Sequence, residues 1–229
     1  MLNKIKLIGK ILLNKWNKNN ELLSYFSLLV TNPNNSSTII RCYIGKIKSK
    51  EIENIKENEY FEIDGYLKNE INDRQIIVHV VRIKKVEFLN EEKKIEHNEV
   101  KLLGIVDELE KKTNLDGNIN LISFKIFIPG KLDSYNQNFF CAIKEINLIK
   151  KIIDILKLKK NDIIYLKGFL QTKKIKNVNN KENFSRASLI ICYYFFKIEN
   201  YLINEYDNFV KFETVSGEIE KIDFNSPKK

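Results

Sequence analysis

The segment Lys6-Leu7-Ile8-Gly9-Lys10-Ile11 recurs 95 residues later as Lys101-Leu102-Leu103-Gly104-Ile105-Val106. Three more segments recur in the same order: 25–30 at 123–128, 40–44 at 139–143 and 64–68 at 167–171. The offset grows to 103 at the pair Gly65 and Gly168, as expected when loops of different length separate equivalent strands. Two unrelated β-rich domains with similar strand residues are the alternative, but four landmarks in one order favour an internal duplication.

Each copy contains five segments rich in β-branched and aromatic residues, which favour strands. They are 3–13, 22–30, 38–45, 59–68 and 75–88 in the first copy, and 100–110, 119–128, 137–143, 162–171 and 185–198 in the second. A helix-compatible segment follows the third strand of each copy, at 49–58 and 144–158. The second of these carries an apolar stripe at helical spacing, formed by Ile146, Ile149, Ile152, Ile153 and Leu156.

Five strands with a helix between the third and fourth is the order of the OB-fold, a small β-barrel. The predicted fold class is therefore all-β, with two tandem OB-folds of five strands each. The predicted domains are 1–90 and 99–198, joined by a charged linker at 91–98. Residues 199–229 hold 4 basic and 7 acidic residues and are predicted to form a mildly acidic C-terminal tail.

The net charge of +9, from 39 basic and 30 acidic residues, favours a polyanionic partner. Lys, Asn and Ile are abundant throughout, however, as an AT-rich genome would also produce, so charge alone leaves the partner open. The longest apolar run, 189–196, is too short to span a bilayer, and no membrane association is expected.

The sequence contains no motif that indicates catalysis or metal binding. No P-loop, HExxH or GxSxG motif is present, so no enzyme activity is expected. The three cysteines form no CxxC pair and the only histidines are His79 and His97, so neither a metal site nor a cofactor is expected. Three widely spaced cysteines indicate buried, reduced thiols in a cytosol-like compartment. The expected location is cytoplasmic, nucleoid-associated in a bacterium, or an organellar matrix.

The chain resembles the single-stranded DNA-binding (SSB) protein family in the motifs of its strands. The resemblance lies in the first strand 3–10, in Phe26-Ser27-Leu28-Leu29-Val30, in Ile40-Arg41-Cys42 leading to Gly45-Lys46, and in Gly168-Phe169-Leu170-Gln171-Thr172-Lys173-Lys174. It implies a protein that coats and protects single-stranded DNA in replication, recombination or repair, with little sequence preference. It also implies a homodimer, because SSB proteins present four OB-folds together.

Two departures from the family pattern concern binding and recruitment. The family usually carries tryptophans on its binding face, whereas the only tryptophan here is Trp16, and Ile175 follows the basic turn. The family also ends in an acidic tail tipped by Pro-Phe, which recruits replication or repair proteins. This chain has Glu218-Ile219-Glu220-Lys221-Ile222-Asp223-Phe224 and ends in Pro227-Lys228-Lys229. The segment matches the family's tail only weakly, and so gives weak support for such partners.

An OB-fold binds a single strand with cations that neutralise phosphates and aromatic rings that stack on bases. Arg41 and Tyr43 have the same parity on the third strand and share a face, with Cys42 between them in the core. Trp16, in an Asn-rich loop, is either a stacking residue on a mobile arm or folds back on the barrel. The candidate residues of the first copy are Trp16, Arg41, Tyr43, Lys46, Lys48, Tyr66, Lys68 and Arg74.

In the second copy Phe140 occupies the position of Arg41. Residues 173–176 begin the predicted loop between strands four and five, as either a phosphate clamp or a solvated lysine loop. Tyr193-Tyr194-Phe195-Phe196 is aromatic on both strand faces, which predicts one core face and one domain or subunit interface. His79 is predicted to be a packed strand residue. The candidates here are Lys125, Phe127, Phe140, Lys144, Phe169, Lys173, Lys174, Lys176 and Arg186.

Three other functions remain open from the sequence. The same groove could bind RNA, as in an RNA-binding or ribosome-associated OB-fold protein, because contacts to a 2′-hydroxyl are local. The missing tryptophans favour a protein-interaction module of a replication complex for at least one barrel. A nuclease or other enzyme built on OB-like barrels is the third alternative.

Overall fold

The fold comes from a computed structural model of the chain. It describes residues 2–13, 24–45, 56–69, 75–87, 96–130, 136–177, 180–198, 209–213 and 219–223. At 13, 24, 173–177, 180–186, 209–213 and 219–223 the backbone alone is described. Within this part of the chain, no helix is long and apolar enough to cross a membrane.

The first five strands close into barrel 1. They are β1 (Asn3–Leu13), β2 (Ser24–Thr31), β3 (Ser37–Ile44), β4 (Tyr60–Asn69) and β5 (Ile76–Lys85). β1 pairs with both β2 and β4, β2 pairs with β3, and β5 pairs with β3 and β4, so the circuit has no open edge. The β3–β5 pairing is parallel and the others are antiparallel.

Barrel 2 repeats this circuit with the next five strands. They are β6 (His97–Thr113), β7 (Ile119–Ile128), β8 (Gln137–Ile143), β9 (Ile163–Asn177) and β10 (Asn180–Ile198). β6 pairs with β7 and β9, β7 with β8, and β10 with β8 and β9. The all-β class and the predicted order of strands are therefore confirmed.

The duplication extends to irregular positions of the ladders. Equivalent glycines permit close backbone contact, because a Cβ on Gly9 would lie 2.3 Å from the Leu29 carbonyl oxygen and one on Gly104 would lie 2.6 Å from that of Phe127. A register shift follows each glycine, between Ile11 and Leu13 in β1 and between Val106 and Glu108 in β6. Equivalent shifts accompany Gly65 in the β4–β5 ladder and Gly168 in the β9–β10 ladder.

The helix of barrel 2 is shorter than predicted. Helix α1 (Ile146–Lys151) continues as a π-helical turn (Ile152–Leu156), and the chain then turns through a left-handed Lys157. The carboxylate of Glu145 caps α1 by accepting the Leu148 N–H at 3.2 Å. The predicted apolar stripe is wrong at its first position: Ile146 is 61% exposed, and Leu148 packs in its place. Most of the helix predicted at 49–58 lies outside the described residues.

The two barrels are joined through their first strands. β1 and β6 run antiparallel, with Ile5 opposite Val100. The repeat maps Ile5 onto Val100, so this pair marks an approximate two-fold axis between the barrels. The predicted linker is wrong at its end, because the backbone of His97 and Asn98 joins this ladder opposite Ile8 and Leu7. Buried side chains of both barrels form one continuous cluster.

The C-terminal segment contains a second small sheet. Strands β11 (Phe209–Glu213) and β12 (Ile219–Asp223) pair antiparallel, with Phe209 opposite Asp223. The acidic segment predicted as a tail therefore includes regular structure.

Candidate nucleic-acid interface

Four aromatic rings form a row across the outer face of barrel 1. Tyr25 on β2 lies opposite Tyr43 on β3; Tyr43 lies opposite His79 on β5, and His79 lies opposite Tyr66 on β4. Successive ring centroids are 5.2, 4.7 and 5.1 Å apart. Adjacent β-strands are about 4.8 Å apart, so the sheet itself sets this spacing. We call these four residues the ring row.

The ring row faces outward, as the parity of β3 predicts. Cys42, next to Tyr43 in sequence, is fully buried, whereas Tyr43, Tyr25 and His79 are half-buried. Tyr66, at the end of the row, is 42% exposed. The row therefore offers aromatic surface to a ligand and does not form part of the barrel core.

Two cations accompany the ring row. The guanidinium of Arg41 lies 4.1 Å from the centroid of the Tyr25 ring, within the range of a cation–π contact. Lys68 follows Tyr66 by two residues on β4 and therefore lies on the same face. Aromatic rings with flanking cations are the two features that binding to single-stranded nucleic acid requires.

His79 and Tyr66 of the ring row are uncharged at neutral pH. Burial, with a smaller contribution from Lys68, lowers the pKa of His79 to about 4. Burial, followed by the neighbouring Tyr43, raises the pKa of Tyr66. The hydroxyl of Tyr66 and Nδ1 of His79 are 3.3 Å apart, within hydrogen-bond distance. The row thus offers neutral rings for stacking, and the attraction for phosphates comes from Arg41 and Lys68.

The equivalent positions of barrel 2 carry no such row. Their register places Ser123, Ala142, Ile191 and Phe169 where barrel 1 has the four rings. Ala142 is 2% exposed and Phe169 is 5% exposed. Phe169, predicted to contact nucleic acid, therefore lies buried in the structure and outside the exposed surface of barrel 2.

Barrel 2 has a smaller aromatic surface around Phe140, which lies two residues before Ala142 on β8. Phe140 is 47% exposed, and Nζ of Lys125 lies 5.0 Å from the centroid of its ring. Phe127 is half-buried on the same face of β7, two residues from Lys125. The carboxylate of Glu108 forms an ion pair with Nζ of Lys125 at 2.6 Å, which reduces the positive charge that Lys125 offers to a phosphate. Barrel 2 thus brings three predicted residues together, and the cation among them is paired with Glu108.

The remaining candidates of barrel 2 are Lys144, the lysines at 173, 174 and 176, and Arg186. Lys144 is exposed just before α1. The residues predicted to begin a loop instead continue strand β9, which extends to Asn177 and pairs Lys174 with Arg186 on β10. This corrects the loop prediction for Lys173, Lys174 and Lys176, whose side chains, with that of Arg186, lie outside the described part of the structure.

Several candidates of barrel 1 cannot be placed. Four of them lie outside the described residues: Trp16, Lys46, Lys48 and Arg74. Two members of the ring row were missed from the sequence. Tyr25 was not selected, and His79 was predicted to be packed inside the strand. The signal for both is the cross-strand register, which places them beside Tyr43.

The aromatic run on β10 separates into two faces as predicted. Phe195 packs in the main core, whereas Phe196 and Tyr194 belong to a second cluster with Leu103. Leu2, which precedes β1, also packs in this cluster, so the outer face of β10 forms part of the contact between the barrels.

Nothing in the described ranges indicates a metal centre. No group of three or more His, Cys, Asp or Glu side chains is placed to hold an ion in this part of the chain. All three cysteines are free and buried, and burial raises the pKa of the Cys42 thiol, so it is a poor nucleophile.

Comparison with solved structures supports the fold. The wild-type single-stranded DNA binding protein from Thermus aquaticus is similar with a TM-score of 0.60 at 13% identity, and the match covers 87% of this chain and 94% of that one. A deletion variant of the same protein gives a TM-score of 0.60 at 12% identity, covering 89% and 98%. A Plasmodium falciparum SSB solved with single-stranded DNA covers 47% of this chain and 99% of its own, at 19% identity and a TM-score of 0.39.

No protein-family model and no curated protein sequence matches this chain. The Thermus similarity spans both barrels, since it covers most of each chain. The predicted likeness to SSB proteins is therefore confirmed in the fold.

Proposed function

We propose that this protein binds single-stranded DNA with little sequence preference, and coats and protects it during replication, recombination or repair. The observation that carries the proposal is the ring row, in which four neutral rings lie side by side with Arg41 and Lys68 next to them. The fold shared with the Thermus single-stranded DNA binding protein supports the same function.

In this proposal the two barrels contribute unequally. Bases stack on the ring row of barrel 1, at about 1–3 kcal/mol per stacked base. Lys and Arg neutralise phosphates and release counterions, which makes the affinity depend on salt. Barrel 2 adds a secondary contact through the exposed Phe140, because the positions equivalent to the ring row hold Ser123, Ala142, Ile191 and the buried Phe169. No bond of the DNA is broken, so the function is binding and not catalysis.

Titration with a dT oligomer of a few tens of nucleotides tests the proposal. The logarithm of the affinity should fall linearly with that of the salt concentration, by about 0.7 for each neutralised phosphate. Replacing Tyr43 or Tyr66 by Ala should weaken binding by about 5- to 150-fold, the equivalent of one lost stacking contact. Competition between dT and rU oligomers then measures the preference for DNA over RNA.

Tyr193 provides a matched control for Tyr66. Both are 42% exposed and both have a polar partner for the hydroxyl, but Tyr193 lies on β10, away from the ring row. Tyr193→Ala should keep the affinity of the unmodified protein for dT. Equal affinities for Tyr43→Ala, Tyr66→Ala and the unmodified protein would show that the row does not contact the bases.

We further propose a homodimer, which would bring four barrels together as the resemblance implies. Light scattering of the free protein should give twice the chain mass of 27.1 kDa. A single-chain mass at micromolar concentration would refute the dimer without affecting the binding proposal. The three buried free thiols support the proposed location in a reducing cytoplasm or organellar matrix.

A further inference from the structure

A cavity of about 470 Å³ lies where the two barrels meet, apart from the ring row. Barrel 1 contributes the end of β2, the following turn and the start of β4. Barrel 2 contributes the residues that begin β6 and the bulged part of β10. The cavity is large enough for a long side chain with its water molecules.

Glu96 is the charged group of this cavity. Its Oε2 accepts the Thr31 N–H at 2.5 Å, and its Oε1 accepts the Tyr60 hydroxyl at 3.4 Å. Both donors belong to barrel 1, so the carboxylate is held in place across the junction. An ionised carboxylate has about four acceptor positions, so two donors leave further capacity for a ligand.

The remaining described wall has three aromatic residues beside the polar residues Thr31, Asn32, Asn35 and Asn98. Tyr60, His97 and Tyr193 line the cavity together with Pro33. The Tyr193 hydroxyl donates to Glu99 at 3.4 Å, which places a second carboxylate behind this wall. Glu99 in turn pairs with Lys101 at 2.8 Å, so its charge is compensated and Glu96 dominates the cavity.

The charge of the described lining disfavours phosphate as the ligand of the cavity. Among the described residues that line it, none is a lysine or an arginine. A carboxylate in this position repels a phosphate, although the protein as a whole carries +9. The cavity therefore differs in kind from the ring row, and a ligand with a positive charge and several hydrogen-bond donors fits it.

We propose that the junction cavity binds an arginine side chain of a partner protein. A guanidinium is planar, carries five donors, pairs with a carboxylate through two parallel hydrogen bonds and stacks on aromatic rings. Glu96 supplies the carboxylate, and Tyr60 and Tyr193 supply aromatic wall. Because both barrels form the cavity, the partner binds only when the junction is intact. This inference does not depend on DNA binding.

NMR titrations of the full chain with three tripeptides test the proposal. The peptides carry arginine, lysine or citrulline between two glycines, and both of their ends are blocked. Citrulline has the shape of arginine without its charge, so the arginine peptide should bind at least 10-fold more tightly than the citrulline peptide. Glu96→Gln and, separately, Tyr193→Ala should each weaken the arginine peptide at least 10-fold. Asp154→Asn, at an exposed carboxylate on the helical segment of barrel 2 outside the cavity, is the matched control and should change nothing.

Equal binding of the arginine and citrulline peptides would overturn the proposal, as would an unchanged affinity in both cavity variants. Guanosine is included as a second probe, because its N–H edge also matches a carboxylate. Guanosine binding that depends on Glu96, in place of arginine binding, would assign the cavity to a nucleobase and also refute the proposal. The dT affinity of the same variants should remain unchanged, so a failure here is distinct from a failure of the ring row.

Discussion

His79 shows what a single residue gains from the fold around it. From the sequence it is one histidine inside an apolar strand, and packing is the ordinary expectation. The parallel β3–β5 pairing instead places it between Tyr43 and Tyr66, with ring centroids 4.7 and 5.1 Å away. Strand periodicity predicts which face a residue occupies, but not which residue of another strand lies opposite. This is why Arg41 and Tyr43 could be selected from sequence, whereas Tyr25 and His79 could not.

The position of His79 predicts a dependence of stability on pH. Its pKa is about 4 in the folded protein and 6.5 in the unfolded chain, so between these values the unfolded chain binds the extra proton. The free energy of unfolding should therefore fall as the pH decreases from about 6.5 towards 4, and His79 adds no slope above this window. A difference of one full proton would give a slope of about 1.4 kcal/mol per pH unit. The slope for His79 stays below this value, because solvent screens the half-exposed ring.

Urea unfolding of the unmodified protein and of His79→Gln between pH 7.5 and 5 measures this effect. His79→Gln should show the smaller loss of stability on acidification. The lowered pKa values of Glu59, Glu62 and Glu99 affect stability mainly below this range, since their unfolded value is 4.5. An NMR titration midpoint near 6.5 for the His79 ring would contradict the prediction.

At the scale of elements, the sequence predicts what depends on local pattern. Strands β7 and β8 begin and end where their apolar pattern does. The glycines of β1, β4, β6 and β9 recur at equivalent positions of the repeat, and at each of them a Cβ would lie only 2.3–2.6 Å from a carbonyl oxygen of the neighbouring strand. The bulges beside them were not predicted, since an extra residue in one strand is defined only relative to its partner.

The helix and the β9–β10 ladder show the opposite case. Helical spacing correctly predicts that Ile149, Ile152 and Leu156 are buried, but Ile146 is 61% exposed and Leu148 is buried in its place. The period alone does not show where the packed part of the helix begins. The predicted loop at 173–176 instead continues strand β9. Pairing with β10 supplies the backbone hydrogen bonds that keep these residues in a strand.

At the scale of the whole molecule, the duplication creates a junction that is only approximately symmetric. Asn3 clamps the backbone of Leu67 with two hydrogen bonds of 2.8 and 2.9 Å. Its repeat equivalent, Asn98, clamps Leu170 in the same way, at 2.8 and 3.1 Å. Asn98 also donates to Oδ1 of Asn32 at 2.7 Å, and this third bond crosses from one barrel to the other.

The pair Asn3 and Asn98 therefore allows the coupling of the barrels to be measured. Asn98 is 3% exposed, so Asn98→Ala leaves buried partners in both barrels unsatisfied, at about 1–3 kcal/mol for each group. Asn3→Ala affects one barrel at a more exposed site. In urea unfolding, Asn98→Ala should lower the free energy of unfolding by about 3 kcal/mol or more, and by at least about 1 kcal/mol more than Asn3→Ala.

Combining Asn98→Ala with Asn32→Ala isolates the bond between the barrels. Because the two side chains contact each other directly, the double variant should be less destabilised than the sum of the single variants, by about 0.5–3 kcal/mol. Hydrogen exchange in Asn98→Ala should also increase in β2 and β3 of barrel 1, and not only in barrel 2. Additive losses, with exchange changing in barrel 2 alone, would mean that the barrels are stable independently. Coupled barrels would instead hold the ring row and the junction cavity as parts of one rigid unit.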